Sequence, residues 1–294
     1  MLITLNRFKR FILILSACLI ATGCNSQDPN SEQLTPDPVQ ESTEETRENI
    51  SFADPNLEAA IRRAIDVPQP QPLTRQHLAQ ITDFGATEEN ISRLDGIENL
   101  TNLKQLILQE NQIKDVTPLA GLNNLERLYL RDNQVKDVTP LTALTNLRFL
   151  GLGNNQISDI TPLTKLKNLD TLFLRANRIS DRDLMSLTEL NNLKSLKLDR
   201  NQLTDISPLA ELTNLEILAL KENQILDITP LAELTNLTWL YLDNNTIVNV
   251  SPLANLTQLE LLTLGGNSIE DFEPVNNLPN LSQCLGCQVS AQDI

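Results

Sequence analysis

The stretch Leu103-Lys104-Gln105-Leu106-Ile107-Leu108-Gln109-Glu110-Asn111-Gln112-Ile113, closed by Asp115-Val116-Thr117-Pro118-Leu119, decides the fold. Its wording returns with Leu125, Leu147, Leu169, Leu193, Leu215, Leu237 and Leu259 in the place of Leu103, every 22 residues apart from one spacing of 24. Each unit reads L-x-x-L-x-L-x-x-N-x-[ILV], and the ninth position is Asn in all eight: Asn111, Asn133, Asn155, Asn177, Asn201, Asn223, Asn245 and Asn267. A fixed period of this length marks units that stack, because one unit alone cannot bury its apolar face. The alternating L-x-L is a short strand with leucines turned inward and the residues between them turned out. The Asn falls where the chain leaves the strand, and its amide suits backbone groups that no ladder satisfies. In the second half Pro118 opens a tight 3₁₀-type turn, where its missing N–H costs nothing.

Working outward, Ile81, Phe84, Ala86, Ile91, Leu94, Ile97 and Leu100 keep the apolar positions of one more unit, with Glu89 for the Asn and Gly96 for the Pro. Before it, Asp54-Pro55 starts a helix carrying Leu57, Ala60, Ile61, Ala64 and Ile65 at helical spacing. Pro68, Pro70 and Pro72 break it, and Thr74 caps a second short helix through Leu78. In the fourth unit Arg182-Asp183 replaces the Pro and two residues are added before Leu193, which predicts a fuller helical turn over residues 183–188.

This is the wording of a leucine-rich repeat. Short units ending in D-[IV]-[ST]-P-L behind a helical cap resemble the internalin-like leucine-rich repeat proteins of bacteria, from about Phe52 to Asn280. The resemblance implies an α/β solenoid of 22-residue units: a curved parallel β-sheet on the concave face, short 3₁₀ or helical turns on the convex face, and a helical N-terminal cap. It also implies a partner held on the concave sheet. Nothing after Asn280 resembles that family's Ig-like domain or cell-wall sorting signal, so the anchor is expected at the other end.

There, Arg7, Lys9 and Arg10 precede an apolar run from Phe11 to Ala21, about half the ~20 residues that span a bilayer as a helix. This reads as a signal peptide. Its end, Ala21-Thr22-Gly23-Cys24, resembles the lipobox of bacterial lipoproteins, which implies lipidation of Cys24 and stable anchoring in a membrane. The following residues are polar and acidic, with Pro29, Pro36 and Pro38, and cannot bury enough apolar surface to order themselves. The expected organisation is a signal peptide over 1–23, an acidic tether over 24–51, the cap over 52–80, the solenoid over 81–280 and a C-terminal cap or tail over 281–294.

Composition excludes several activities. Removal of the leader leaves 20 basic against 38 acidic residues, a net charge of −18, which argues against a nucleic-acid partner. The single His, His77, sits on the cap helix with no acid or Cys cluster near it, so a solvated or capping role is expected. Cys284-Leu285-Gly286-Cys287 lacks the βαβ context of a redox site and the four ligands of zinc, so a local disulfide in a secreted chain is expected, with two free thiols as the alternative. The ladder Asp115, Asp137, Asp159, Asp181, Asp205, Asp227 and Asp271 offers one carboxylate per unit where calcium takes six to eight oxygens, so turn capping is expected. No metal, cofactor or catalytic residue is expected, and no nucleophile elbow or phosphate loop appears.

The outward strand positions carry the remaining signal. Chance would place fewer than one of the eight aromatics of the mature chain among the 24 such positions; five are there. Tyr129, Phe149 and Phe173 fall on consecutive units beside Gly151 and Gly153, which predicts a hollow next to the rings. Trp239 and Tyr241 adjoin Ile217 and Leu261 as a second apolar patch. Around the first group lie Arg127, Arg131, Arg148, Arg175, Lys194, Lys197 and Arg200 against Glu126, Asp132, Asp170 and Asp199, a local balance of +3. Exposed aromatics with Arg have the composition of protein-binding hot spots. The partner-binding residues expected are Arg127, Tyr129, Arg131, Phe149, Phe173, Arg175, Lys197, Trp239 and Tyr241. The function expected is recognition of a protein or glycan by a non-catalytic, lipid-anchored protein of the extracytoplasmic cell envelope, with an envelope spacer as the alternative.

Overall fold

A computed structural model describes residues 49–287. Ten three-residue strands run in chain order through one parallel sheet: β1 (Asp83–Gly85), β2 (Gln105–Ile107), β3 (Arg127–Tyr129), β4 (Phe149–Gly151), β5 (Thr171–Phe173), β6 (Ser195–Lys197), β7 (Ile217–Ala219), β8 (Trp239–Tyr241), β9 (Leu261–Thr263) and β10 (Gln283–Leu285). Register joins like positions of successive units, as in Leu106↔Leu128 and Leu128↔Leu150. The longer fourth unit keeps it, with Leu172 opposite Leu196. The middle residues, from Leu106 in β2 to Leu262 in β9, are fully buried. The tenth strand continues the wording in weaker form, with Leu281 and Cys284 in the places of Leu259 and Leu262.

On the other side short 3₁₀ turns, such as Thr139–Ala143 and Thr229–Glu233, carry Pro in their first turn. The Asp two residues ahead closes most of these starts: Asp115 accepts the Thr117 N–H at 2.8 Å, and Asp137 and Asp227 do the same for Thr139 and Thr229, while Asn249 takes that place before Ser251. Hydrogen bonds from Thr139 hold the Asp137 carboxyl below the ordinary carboxylate range. Asp181 departs from the ladder. It accepts from the backbone and hydroxyl of Thr204 in the next unit, because the helix α3 (Asp181–Leu184) begins on it and is capped instead by Ser180 and Asp183. A 3₁₀ turn, Met185–Glu189, continues α3, so the helical stretch is longer than the sequence suggests.

The Asn ladder staples one unit to the next. Asn133 accepts the Ile113 N–H at 3.0 Å and donates to the Leu108 and Leu130 carbonyls at 2.8 and 3.1 Å. The residue before each Asn takes left-handed backbone, as in Glu110, Asp132, Asn154, Ala176 and Arg200, which swings the Asn from the exposed strand into the core. Among the described residues no buried side-chain nitrogen or oxygen lacks a partner.

The N-terminal end is closed by α1 (Pro55–Ile65) and α2 (Arg75–Leu78). Leu57, Ala60 and Ile61 are buried, Ile65 only partly so, and Ala64 is exposed. One carboxylate locks the cap on: Asp54 accepts the Asn56 and Leu57 N–H groups of α1 with one oxygen and the Ser92 and Arg93 N–H groups with the other. His77 accepts the Thr74 N–H and so closes a capping box. Ile50, within the segment read as tether, is buried and donates to the Leu73 carbonyl. At the far end Cys284 and Cys287 form a disulfide with Cα atoms 5.6 Å apart. Gly286 lies so close to the backbone just after β9 that a Cβ would stand 2.4 Å from the Gly265 nitrogen.

Candidate functional site

Parallel in-register pairing turns each outward position into a row of side chains about 4.8 Å apart across the sheet. In one row Tyr129, Gly151 and Phe173 are neighbours. Gly151 leaves a gap between two rings, and Phe149 from the adjacent row leans into it: a Cβ on Gly151 would stand 3.2 Å from the Phe149 ring. Phe149 therefore stacks on Tyr129 with centroids 4.3 Å apart and meets Phe173 edge to face at 5.2 Å. The three rings form one continuous cluster.

Beside it lies a hollow of about 560 Å³ with Gly153 in its floor and Tyr129, Phe149, Phe173, Arg175 and Lys197 among its walls. The hollow expected from the two glycines is present, although Phe149 covers part of Gly151. Arg131 and Arg200 also line it, as do Gln109, Asp132, Asn154 and Ala176. These last four were not among the expected site residues, yet their positions seven and eight in the unit, next to the rings, could have marked them.

The local charge is lower than the sequence count implies. Arg131 pairs with Glu110 and Asp132, Lys194 with Glu216, and Arg200 with Glu222. Glu110, Glu216 and Glu222 lie on neighbouring units and were outside the count. Arg127, Arg148, Arg175 and Lys197 have no carboxylate partner among the described residues, and Lys197 places its Nζ 4.4 Å from the centre of the Phe173 ring. Asp199 is buried under this edge and accepts the Lys221 N–H at 3.0 Å. Burial pushes its carboxyl above the ordinary range, against the pull of that bond and of Arg175 and Lys197.

Arg127 is exposed and lies outside the hollow, next to Phe149 in register. Trp239 and Tyr241 stand on β8, three units beyond Phe173. Trp239 is 42 % exposed between half-buried Ile217 and Leu261, while Tyr241 carries Lys221 4.7 Å from its ring centre. This second patch is separate from the hollow.

The family description "Leucine Rich repeats (2 copies)" matches residues 101–143, 123–165, 145–184, 167–211, 191–233 and 235–280. An internalin (inlF) from Listeria monocytogenes is 37 % identical over 80 % of this chain and 75 % of its own, with a TM-score of 0.69. The chain belongs to the internalin-like leucine-rich repeat proteins. Internalin C2 from the same organism is also 37 % identical, over 80 % of this chain and 94 % of its own, with a TM-score of 0.61. A plant peptide hormone receptor in complex with its peptide shares the fold, at 20 % identity over 65 % of this chain and 36 % of its own and a TM-score of 0.52. No curated protein sequence gives a significant match.

Leucine-rich repeat proteins of this kind commonly mediate protein binding. In this internalin-like chain no group of three or more His, Cys, Asp or Glu suited to a metal occurs among the described residues. No described helix is long and apolar enough to cross a membrane. Cys24, with the leader and most of the tether, lies outside the described residues.

Proposed function

We propose that this internalin-like protein is a non-catalytic recognition protein of the extracytoplasmic cell envelope, anchored through lipid on Cys24, that holds a macromolecular partner on the exposed face of its sheet. One observation carries the reading: three rings and two cations without an ion pair line a hollow on the sheet face, where successive units present side chains in register. Aromatic and Arg side chains of this kind supply most of the energy at protein interfaces, since they bury large rigid areas at small entropic cost. The strand positions themselves are fixed by leucines beneath, so the surface is preorganised.

The test compares retention of a partner captured from intact cells by the parent protein and three variants. Tyr129→Ala/Phe149→Ala lowers retention strongly and Trp239→Ala/Tyr241→Ala less, whereas Lys165→Ala on a 3₁₀ turn leaves it unchanged. Equal retention by all would favour a spacer role. For the anchor, Cys24→Ala releases the protein from the membrane fraction; a variant that stays with the membrane removes the lipid from the account.

A further inference from the structure

We infer that the hollow over Gly153 takes an extended acidic segment of a protein, with one apolar side chain against Phe149 and Phe173 and its carboxylates on Arg175 and Lys197. The inference rests on the binding-surface reading above and sharpens it to a ligand class.

Charge gives the sign. In a chain of net charge −15, Arg131, Lys194 and Arg200 all make an ion pair with a carboxylate on a neighbouring unit, but Arg175 and Lys197 make none; the carboxylate they act on, Asp199, is buried beneath them. They face the same hollow from adjacent units, Lys197 at the end of β6 and Arg175 two residues past the end of β5. The planar fork of an Arg suits a carboxylate, and a lysine held over a ring is partly stripped of water, so an incoming anion gains more there than at an open surface.

The rings give the second half. Tyr129 and Phe149 cover one another, Phe149 meets Phe173 by an edge, and Lys197 covers the Phe173 face. Each of the three rings thus has one face or edge already occupied, which disfavours stacking of a sugar on the cluster. The half-buried Phe149 and Phe173 that line the hollow remain for an apolar side chain. From Gln109 beside β2 to Lys197 in β6 the hollow crosses four strand intervals, roughly 19 Å at ~4.8 Å each, which an extended chain of about six residues covers. Its volume of about 560 Å³ falls in the range of ligand sites.

Gly153 supplies a clean probe. A Cβ there meets nothing closer than 3.4 Å, and every other full unit except the one with Gly265 carries a side chain at that position, so Gly153→Leu fills the hollow without straining the backbone. Binding of a labelled, terminally blocked hexapeptide, Asp-Glu-Phe-Asp-Glu-Leu, is measured by fluorescence anisotropy against its uncharged analogue, Asn-Gln-Phe-Asn-Gln-Leu. The acidic peptide binds at least about tenfold tighter, an advantage that salt screens, and Arg175→Gln/Lys197→Gln removes it. Gly153→Leu abolishes binding and Lys165→Ala, on the 3₁₀ turn Thr161–Lys165, leaves it within about twofold. Equal binding of both peptides, binding of neither, or displacement by a sulfated oligosaccharide in preference to the acidic peptide overturns the inference. If the acidic peptide fails while Gly153→Leu still lowers retention of the captured cell partner, the ligand class is wrong and the surface right; if Gly153→Leu and Tyr129→Ala/Phe149→Ala both leave retention intact, the surface itself is wrong.

Discussion

Phe149 lies across Gly151, its neighbour two residues on in the same strand, and that contact is what makes three separate rings into one cluster. A side chain at residue 151 would stand between Tyr129 and Phe173 and push the Phe149 ring out. Gly151→Leu is therefore expected to abolish the near-ultraviolet dichroism of the stacked pair and weaken partner retention, while far-ultraviolet dichroism stays that of the parent. Unchanged near-ultraviolet dichroism would mean that the rings do not depend on the glycine.

The Asn ladder is expected to be structural, and its value to depend on burial. Asn223 is buried and serves the Leu203 N–H and the Leu198 and Leu220 carbonyls. Asn223→Ala strands these groups and costs roughly 1–3 kcal/mol for each one that water cannot reach. Asn267 makes the same kind of bonds but is half-buried at the C-terminal end, so Asn267→Ala costs less. Thermal unfolding of the two variants side by side checks the order.

Ala176 holds left-handed backbone, φ 53°, where the neighbouring unit has Asn154 at the same angle. Its Cβ is crowded there. Ala176→Asn is expected to stabilise the protein by about 0.5–1 kcal/mol, measured by urea unfolding. A loss of stability would show that Ala176 packs against something worth more than the strain.

Asp199 sets a pH dependence. Because burial raises its folded-state pKa, its contribution to stability is full below the ordinary carboxylate range and is lost as pH rises through the raised value. Asp199→Asn keeps an acceptor for the Lys221 N–H and removes the buried charge. The variant is expected to melt higher than the parent at neutral pH, with the difference closing as pH falls toward the ordinary range. A gap that widens on acidification would reverse the sign.

Asp54 works the other way: burial opposes its charge, but hydrogen bonds from Ser92, Arg93 and Asn56 outweigh it and hold the carboxyl below the usual range. Its stabilisation is present above the unfolded pKa and is lost as pH falls through the folded one. Asp54→Asn is expected to loosen the N-terminal cap at neutral pH, read as faster hydrogen exchange over α1 and residues 92–93.

Most of the fold was legible because a period of 22 turns positions in the sequence into neighbours in space. Tyr129, Phe149 and Phe173 were assembled that way, and so was the hollow. The pairing of Arg200 with Glu222 and of Lys194 with Glu216 obeys the same period and is open to the same reasoning, but the residues counted end at Arg200, one unit short of Glu216 and Glu222. The lean of Phe149 over Gly151 was not legible, since it depends on side-chain packing within a strand rather than on register. Nor was the departure of Asp181, which follows from where α3 begins once two residues are inserted. The tenth strand was hidden by its composition, with Cys284 and Gly286 where other units have leucines.

Hydroxyl-radical footprinting of the ring side chains, with and without the captured partner, tests the central claim most directly. The account predicts protection of Tyr129, Phe149 and Phe173, with exposed Met185 and Leu226, which lie off the strands, as reactive as in the free protein. Full reactivity of all three rings in the complex, or protection confined to Met185 and Leu226, would contradict it.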